Sequence, residues 1–204
     1  MKKNAVIMPM IVLVIAVLAF SCASSGGGGG GVKTEQTTSD AKYNWNFSDS
    51  ASGTAGWVVS EDSWDFHGTT SLSRDDKTFG KGMLRWDVDF SKDGNSDWSE
   101  PKLKIKLDKP VDGVRRICFD LIYNPALTQD GHFKSKAVIL NGSKELSAAN
   151  TDAILGLDQV ANGFVKAPVE ISVRGSGVNN IILSIASYKT TYKGPVFFDN
   201  LRLE

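Results

Sequence analysis

Cysteine and histidine are scarce, with two of each in 204 residues. A disulfide framework needs paired thiols, and a structural zinc site needs clustered thiolates and imidazoles. Cys22 closes an N-terminal apolar run and Cys118 sits inside a different one, so neither device is expected, and Cys118 reads as a small buried core residue. An excess of either charge is also missing, with 23 basic and 23 acidic residues. Proteins that neutralise nucleic-acid phosphates carry a basic footprint, so no nucleic-acid partner is expected and a neutral ligand suits the balance. No pair of carboxylates lies in a motif that marks acid–base glycoside cleavage, and neither His67 nor His132 has an obvious nucleophile partner.

A membrane-spanning run is missing as well. The apolar stretch Ala5–Phe20 is 16 residues long, short of the ~20 that a bilayer-spanning helix requires. Lys2 and Lys3 precede it, and Leu18-Ala19-Phe20-Ser21-Cys22 ends it. A charged start, a short apolar centre and small residues before the cut describe a secretory signal. The closing five residues resemble a bacterial lipoprotein box. That resemblance implies a signal peptide over residues 1–21, cleavage before Cys22 and a lipid thioether on the Cys22 sulfur. The product would be extracytoplasmic and lipid-anchored, at the cell membrane or outer membrane. An uncleaved signal anchor is the alternative. Residues 22–42 include six glycines, Gly26–Gly31, among small and polar residues. Such a segment cannot collapse into a core, and it reads as a flexible linker with a reach on the order of 25 Å.

Residues 43–204 are sized for one domain. Their dominant pattern has period two, the mark of half-buried strands. Leu84, Trp86, Val88 and Phe90 share one face of Met83–Phe90, opposite Arg85, Asp87 and Asp89. Leu103, Ile105 and Leu107 oppose Lys102, Lys104 and Lys106, and Ile117, Phe119, Leu121 and Tyr123 form a third stripe. Val169–Arg174 alternates, Ile181–Ala186 is continuously apolar, and Val196–Leu203 closes the chain. Turn signals such as Asp93-Gly94-Asn95, Asp112-Gly113 and Asn141-Gly142 separate these runs. The pattern implies an all-β sandwich, with a jelly roll as its natural form. One short helix is expected near Ser147–Val160.

Three motifs bear on function. The domain opens Trp45-Asn46-Phe47-Ser48-Asp49 and runs to Gly56-Trp57, continues through Gly68-Thr69-Thr70-Ser71-Leu72, and closes Asp199-Asn200-Leu201-Arg202-Leu203. These resemble jelly-roll carbohydrate-binding modules attached to polysaccharide hydrolases. Asp97-Trp98-Ser99-Glu100-Pro101-Lys102-Leu103, Cys118–Pro125 and Gly131-His132-Phe133-Lys134 are similar to the mannan-binding family 27 modules. The resemblance covers about residues 43–204. It implies a non-catalytic module for β-mannan or a related β-1,4-glycan, working beside partner glycoside hydrolases. It also implies a structural calcium between the first and last strands, at Asp49 and Asp199. Family 27 modules carry a later tryptophan that this chain lacks, and Phe164 is the nearest candidate for its place.

The chemistry of sugar recognition selects the site residues. A pyranose has an apolar C–H face that lies on an exposed aromatic ring while its hydroxyls find polar partners. Of five tryptophans, Trp86 follows a core stripe and Trp45 reads as structural. Trp57, Trp64 and Trp98 lie in Gly-rich or polar surroundings and are the expected platforms, with Glu100, Arg85 and Lys102 as polar partners. Partial burial of each ring is the competing reading. Two other functions fit the same composition: a structural or protein-binding surface lipoprotein, and a small glycan-active hydrolase or lyase.

Overall fold

The computed structural model describes residues 41–93, 98–128, 131–151 and 158–204. Cys22, the signal segment 1–21 and the linker to residue 40 lie outside the described residues. The strands, in chain order, are β1 (Tyr43–Asn44), β2 (Val58–Val59), β3 (Thr69–Asp75), β4 (Met83–Asp89), β5 (Lys102–Val111) and β6 (Arg116–Tyr123). They continue with β7 (His132–Asn141), β8 (Lys144–Asn150), β9 (Asp158–Gln159), β10 (Val165–Ser172), β11 (Val178–Tyr188) and β12 (Lys193–Leu203).

Two antiparallel sheets result. One is seven-stranded, in the order β3-β4-β12-β6-β10-β9 with β1 also on β12; the other is five-stranded, in the order β2-β5-β11-β7-β8. From β4 onward the chain passes repeatedly from sheet to sheet, so sequence neighbours face each other across the core. This is the β-sandwich that the period-two stripes imply.

The core follows the alternation. Leu84, Trp86 and Val88 of β4 and Ile117, Phe119 and Leu121 of β6 meet Leu103, Ile105, Ile181, Leu183 and Ile185 of the opposite sheet. In β12, Val196 and Phe198 point inward, and so do Leu201 and Leu203. A strict period of two would turn the second pair outward. The register shifts between Asp199 and Arg202, and Asn200 adopts φ 52. This bulge inserts the extra residue that restores the inward face.

Two expectations need correction. The helix placed near Ser147–Val160 is not what forms: residues to Asn150 are strand β8, residues 158–159 are strand β9, and 152–157 lie outside the described residues. β8 is held by pairing with β7, from Lys136↔Asn150 to Asn141↔Lys144. That tertiary pairing overrides the helical propensity of Leu and Ala in Glu145–Ala149. Cys118 is buried, as expected, but it lies on the outer side of its strand, across from Glu170 and Arg202. Burial raises its thiol pKa to about 11, so the sulfur stays protonated and unreactive at neutral pH.

Candidate saccharide-binding face

The outer face of the five-stranded sheet carries the polar and aromatic side chains of interest. Three strand registers define it. Lys102 and Lys136 both lie opposite Ser184, Val58 and Ile182 lie opposite Lys104, and His132 lies opposite Tyr188. Residues paired across an antiparallel ladder share a face, with Cβ atoms about 4.5–5.5 Å apart.

Trp64 joins this face through an isolated bridge to Glu100. Its N–H donates to the Glu100 carbonyl at 3.0 Å, and the Glu100 N–H donates back to the Trp64 carbonyl at 2.8 Å. The pairing places the Trp64 ring on the same side as the Glu100 carboxylate, and the ring is 54% exposed. Asp65, next in the chain, adopts φ 46, a left-handed turn that aspartate tolerates better than most residues.

Trp98 stands two residues before Glu100 and so shares its side of the strand. Its ring is 4.9 Å from Tyr188 and 5.9 Å from His132, and the Lys134 ammonium lies 5.0 Å from the ring centroid. His132 and Tyr188 are themselves 5.3 Å apart. Gly131 permits this arrangement: a Cβ there would fall 2.4 Å from the Tyr188 carbonyl oxygen. The Glu100 carboxylate, nearly buried, is held by Lys136 Nζ at 3.3 Å. The face thus offers two aromatic rings beside a fixed carboxylate–ammonium pair.

Of the residues singled out in the sequence, Trp64, Trp98 and Glu100 are brought together here, and Lys102 joins them. Trp57, Arg85 and Phe164 are not. Trp57 is 1% exposed and packs 5.3 Å from Trp45 inside the core. The Gly-rich stretch before it turns the chain inward, and a ring sealed in the core cannot meet a ligand. Arg85 lies on the outer side of the opposite sheet. There it pairs with Asp87 at 2.7 Å and Asp75 at 3.2 Å, and these partners raise its pKa. Phe164 is 9% exposed and packs among Phe79, Phe197, Met83 and Ile122, also against that other sheet. The aromatic beside Trp98 late in the chain is Tyr188 instead. Tyr188, His132, Lys134 and Lys136 are not among the expected site residues; the Lys134/Lys136 alternation in β7 signals the two lysines, and no local pattern signals Tyr188 or His132.

The expected calcium ligands have other partners. Asp49 accepts the Ala51 N–H and caps a short turn, Ser50–Ser52. Asp199 pairs with Lys81 at 2.7 Å. The nearby carbonyls of Phe47 and Ser48 accept from the Arg74 guanidinium at 2.6 and 3.0 Å. Calcium takes six to eight oxygens, whereas the Lys81 ammonium holds Asp199, the Arg74 guanidinium holds the Phe47 and Ser48 carbonyls, and the Ala51 N–H holds Asp49. Among the described residues no three His, Cys, Asp or Glu side chains gather to hold a metal. As the described residues stand, the Asp49 and Asp199 carboxylates are taken by protein donors.

Catalysis finds no machinery on this face either. Cleavage of a glycoside uses two carboxyl groups about 5–9 Å apart; among the described residues on this face Glu100 is tied to Lys136, and Asp108 lies at the far end of the β5 row, eight residues from it. A β-sandwich with an exposed Trp64 and a half-buried Trp98 on one sheet face is compatible with a sugar-binding module. Residues 45–204 match Carbohydrate binding module 27, and the chain belongs to that family. The domain is a non-catalytic carbohydrate-binding module.

Solved structures share the fold. The chain is similar to a module of Caldicellulosiruptor saccharolyticus, CBM27-1, solved with mannohexaose: 19% identity, 79% of this chain and 97% of that one, TM-score 0.60. It is also similar to TmCBM27, described for specific mannan recognition, at 18% identity over 79% of this chain and 94% of that one, TM-score 0.57. A third similar structure is a CBM28 module specific for non-crystalline cellulose, at 18% identity over 73% and 88% of the two chains, TM-score 0.56. No curated protein matches the chain.

Proposed function

We propose that the outer face of the five-stranded sheet holds a β-1,4-linked, mannan-type chain across Trp64 and Trp98. The carrying observation is the register: Trp64 pairs with Glu100, two residues from Trp98, so both rings and the Glu100–Lys136 pair serve one surface. Sugar rings lie on the indoles, and Glu100, Lys102 and Lys136 meet the hydroxyls. The mannan recognition named for two similar structures supports this choice of glycan. The N-terminal signal, Cys22 and the Gly-rich linker support display of the domain from a membrane through a lipid. A polymer held there is concentrated at the cell surface, where partner glycoside hydrolases act on it.

Affinity electrophoresis on glucomannan, galactomannan, xylan and β-glucan tests the reading. Retardation on a mannan gel that disappears in Trp64→Ala and Trp98→Ala supports it. No retardation on any of the four overturns it and favours a protein-binding surface lipoprotein.

A further inference from the structure

The two halves of the chain's charge are not spread evenly. Basic and acidic residues balance overall, yet the outer rows of the five-stranded sheet are lysine-rich. Lys102, Lys104 and Lys106 alternate along β5, with Asp108 closing that row, and Lys134 and Lys136 alternate along β7, so lysines outnumber carboxylates on these rows. Between them run the outward residues of β11, Ile182, Ser184 and Ala186, none charged. Side chains two residues apart on a strand stand about 6.7 Å apart, and β5 and β7 are two strand spacings apart, about 9.6 Å.

Glu100 answers one of these charges through Lys136. Lys134 lies over the Trp98 ring. Lys102, Lys104 and Lys106 have no ion-pair partner among the described residues. Lys106 stands where β2 has ended, and a lysine on a bare sheet edge discourages strand pairing. That explanation does not reach Lys102 and Lys136, which have neighbours on both sides: Lys102 has β11 and the Ser60 N–H, and Lys136 has β11 and β8. Like charges gathered in this way repel one another, and the repulsion is relieved by an anion bound among them.

We infer that this face selects an acidic glycan, one whose sugars carry carboxylate groups, over a neutral chain of the same backbone. The inference rests on the reading that the face binds a polysaccharide. The rings supply stacking, which is indifferent to charge, and the lysine rows supply the preference. Glu61, Asp62 and Asp65 lie on the loop that carries Trp64, so the acid groups belong over the β5-β11-β7 rows rather than at the Trp64 end.

The full-length protein is titrated with native glucomannan and with the same polymer carboxymethylated, at about 0.01 M and about 1 M salt, where the Debye length is ~30 and ~3 Å. An exposed ion pair contributes about 1.5- to 5-fold in affinity, so two carboxylates seated on the lysine rows tighten the acidic polymer by about 2- to 25-fold at low salt. At high salt the difference vanishes. In K102Q/K104Q most of the preference goes, whereas Lys193→Gln, which removes one charge from the other sheet, keeps it. Equal affinities at low salt overturn the inference and leave the mannan-type reading standing. So does a preference that survives Trp64→Ala and Trp98→Ala undiminished, because that is ion exchange. Failure of both polymers to bind overturns the functional reading itself.

Discussion

Replacing Trp64 by alanine separates recognition from folding. The ring is 54% exposed and contributes nothing to the two buried clusters, so its loss changes stability by no more than about 0.5 kcal/mol. A tryptophan side chain covers up to about 250 Å2. A sugar ring lying on the exposed half removes on the order of 100 Å2 from water, which at about 25 cal/mol per Å2 is about 2.5 kcal/mol. That corresponds to about 60-fold in Kd, and the ordering of both partners reduces it towards about tenfold. Isothermal titration with mannohexaose should thus show Kd raised by about 10- to 60-fold in Trp64→Ala, with an unchanged melting temperature. Trp57→Ala is the contrast. Its ring is 1% exposed, so the substitution opens a core cavity and costs about 3–5 kcal/mol of stability. A Trp64→Ala protein that is folded and binds mannohexaose with wild-type affinity refutes the placement of the site.

Other outcomes follow from the same structure. Trp98→Ala weakens mannohexaose binding by about 2 kcal/mol or more, as removal of a central aromatic contact does, and lowers stability by about 1–2 kcal/mol through lost contacts to Tyr188, His132 and Lys134, read by titration and denaturant unfolding. Gly131→Ala forces its new Cβ against the Tyr188 carbonyl, so it lowers both the melting temperature and the affinity. EDTA leaves the melting temperature unchanged, because Arg74 and Lys81 hold the oxygens around Asp49 and Asp199; Arg74→Ala, which strands the Phe47 and Ser48 carbonyls, costs about 1–3 kcal/mol. Hydrogen bonds from Ser91 and the ammonium of Lys193 hold the Asp89 pKa down at about 2, below the ~3.9 of an unfolded aspartate. Its contribution to stability is therefore full above about pH 4 and is lost as pH falls towards 2, and Asp89→Asn flattens that part of the acid-unfolding curve.

The strands that were legible in the sequence are those whose core stripe is wholly apolar. β4, β5 and β6 each carry an unbroken apolar inward stripe, and each forms. β7 was not recognised because Ser135 interrupts its inward stripe; the residue is buried there, with its hydroxyl lacking a hydrogen-bond partner among the described residues. β8 was masked by helix-favouring residues whose fate depends on pairing with β7. Polar neighbours mark Trp64 and Trp98, which the fold brings to one face, but the same reasoning marks Trp57, which is buried, since glycines signal a turn without signalling which way it leads. Arg85 and Phe164 failed for another reason. A strand's alternation separates inside from outside, but it does not say which of the two sheets owns the outer face. Tyr188 and His132 meet Trp98 only through the β11–β7 register, a contact between distant segments that no local pattern contains.

The tryptophans offer the most direct check. In a nitrogen-15 correlation spectrum of the protein, the indole N–H signals are followed while mannohexaose is added. The resonances of Trp64 and Trp98 should shift together with a single Kd, and those of Trp45, Trp57 and Trp86 should stay in place. Shifts confined to the three core indoles, or to Arg85 and the cluster around Phe164, would contradict the assignment of the sugar to the five-stranded sheet.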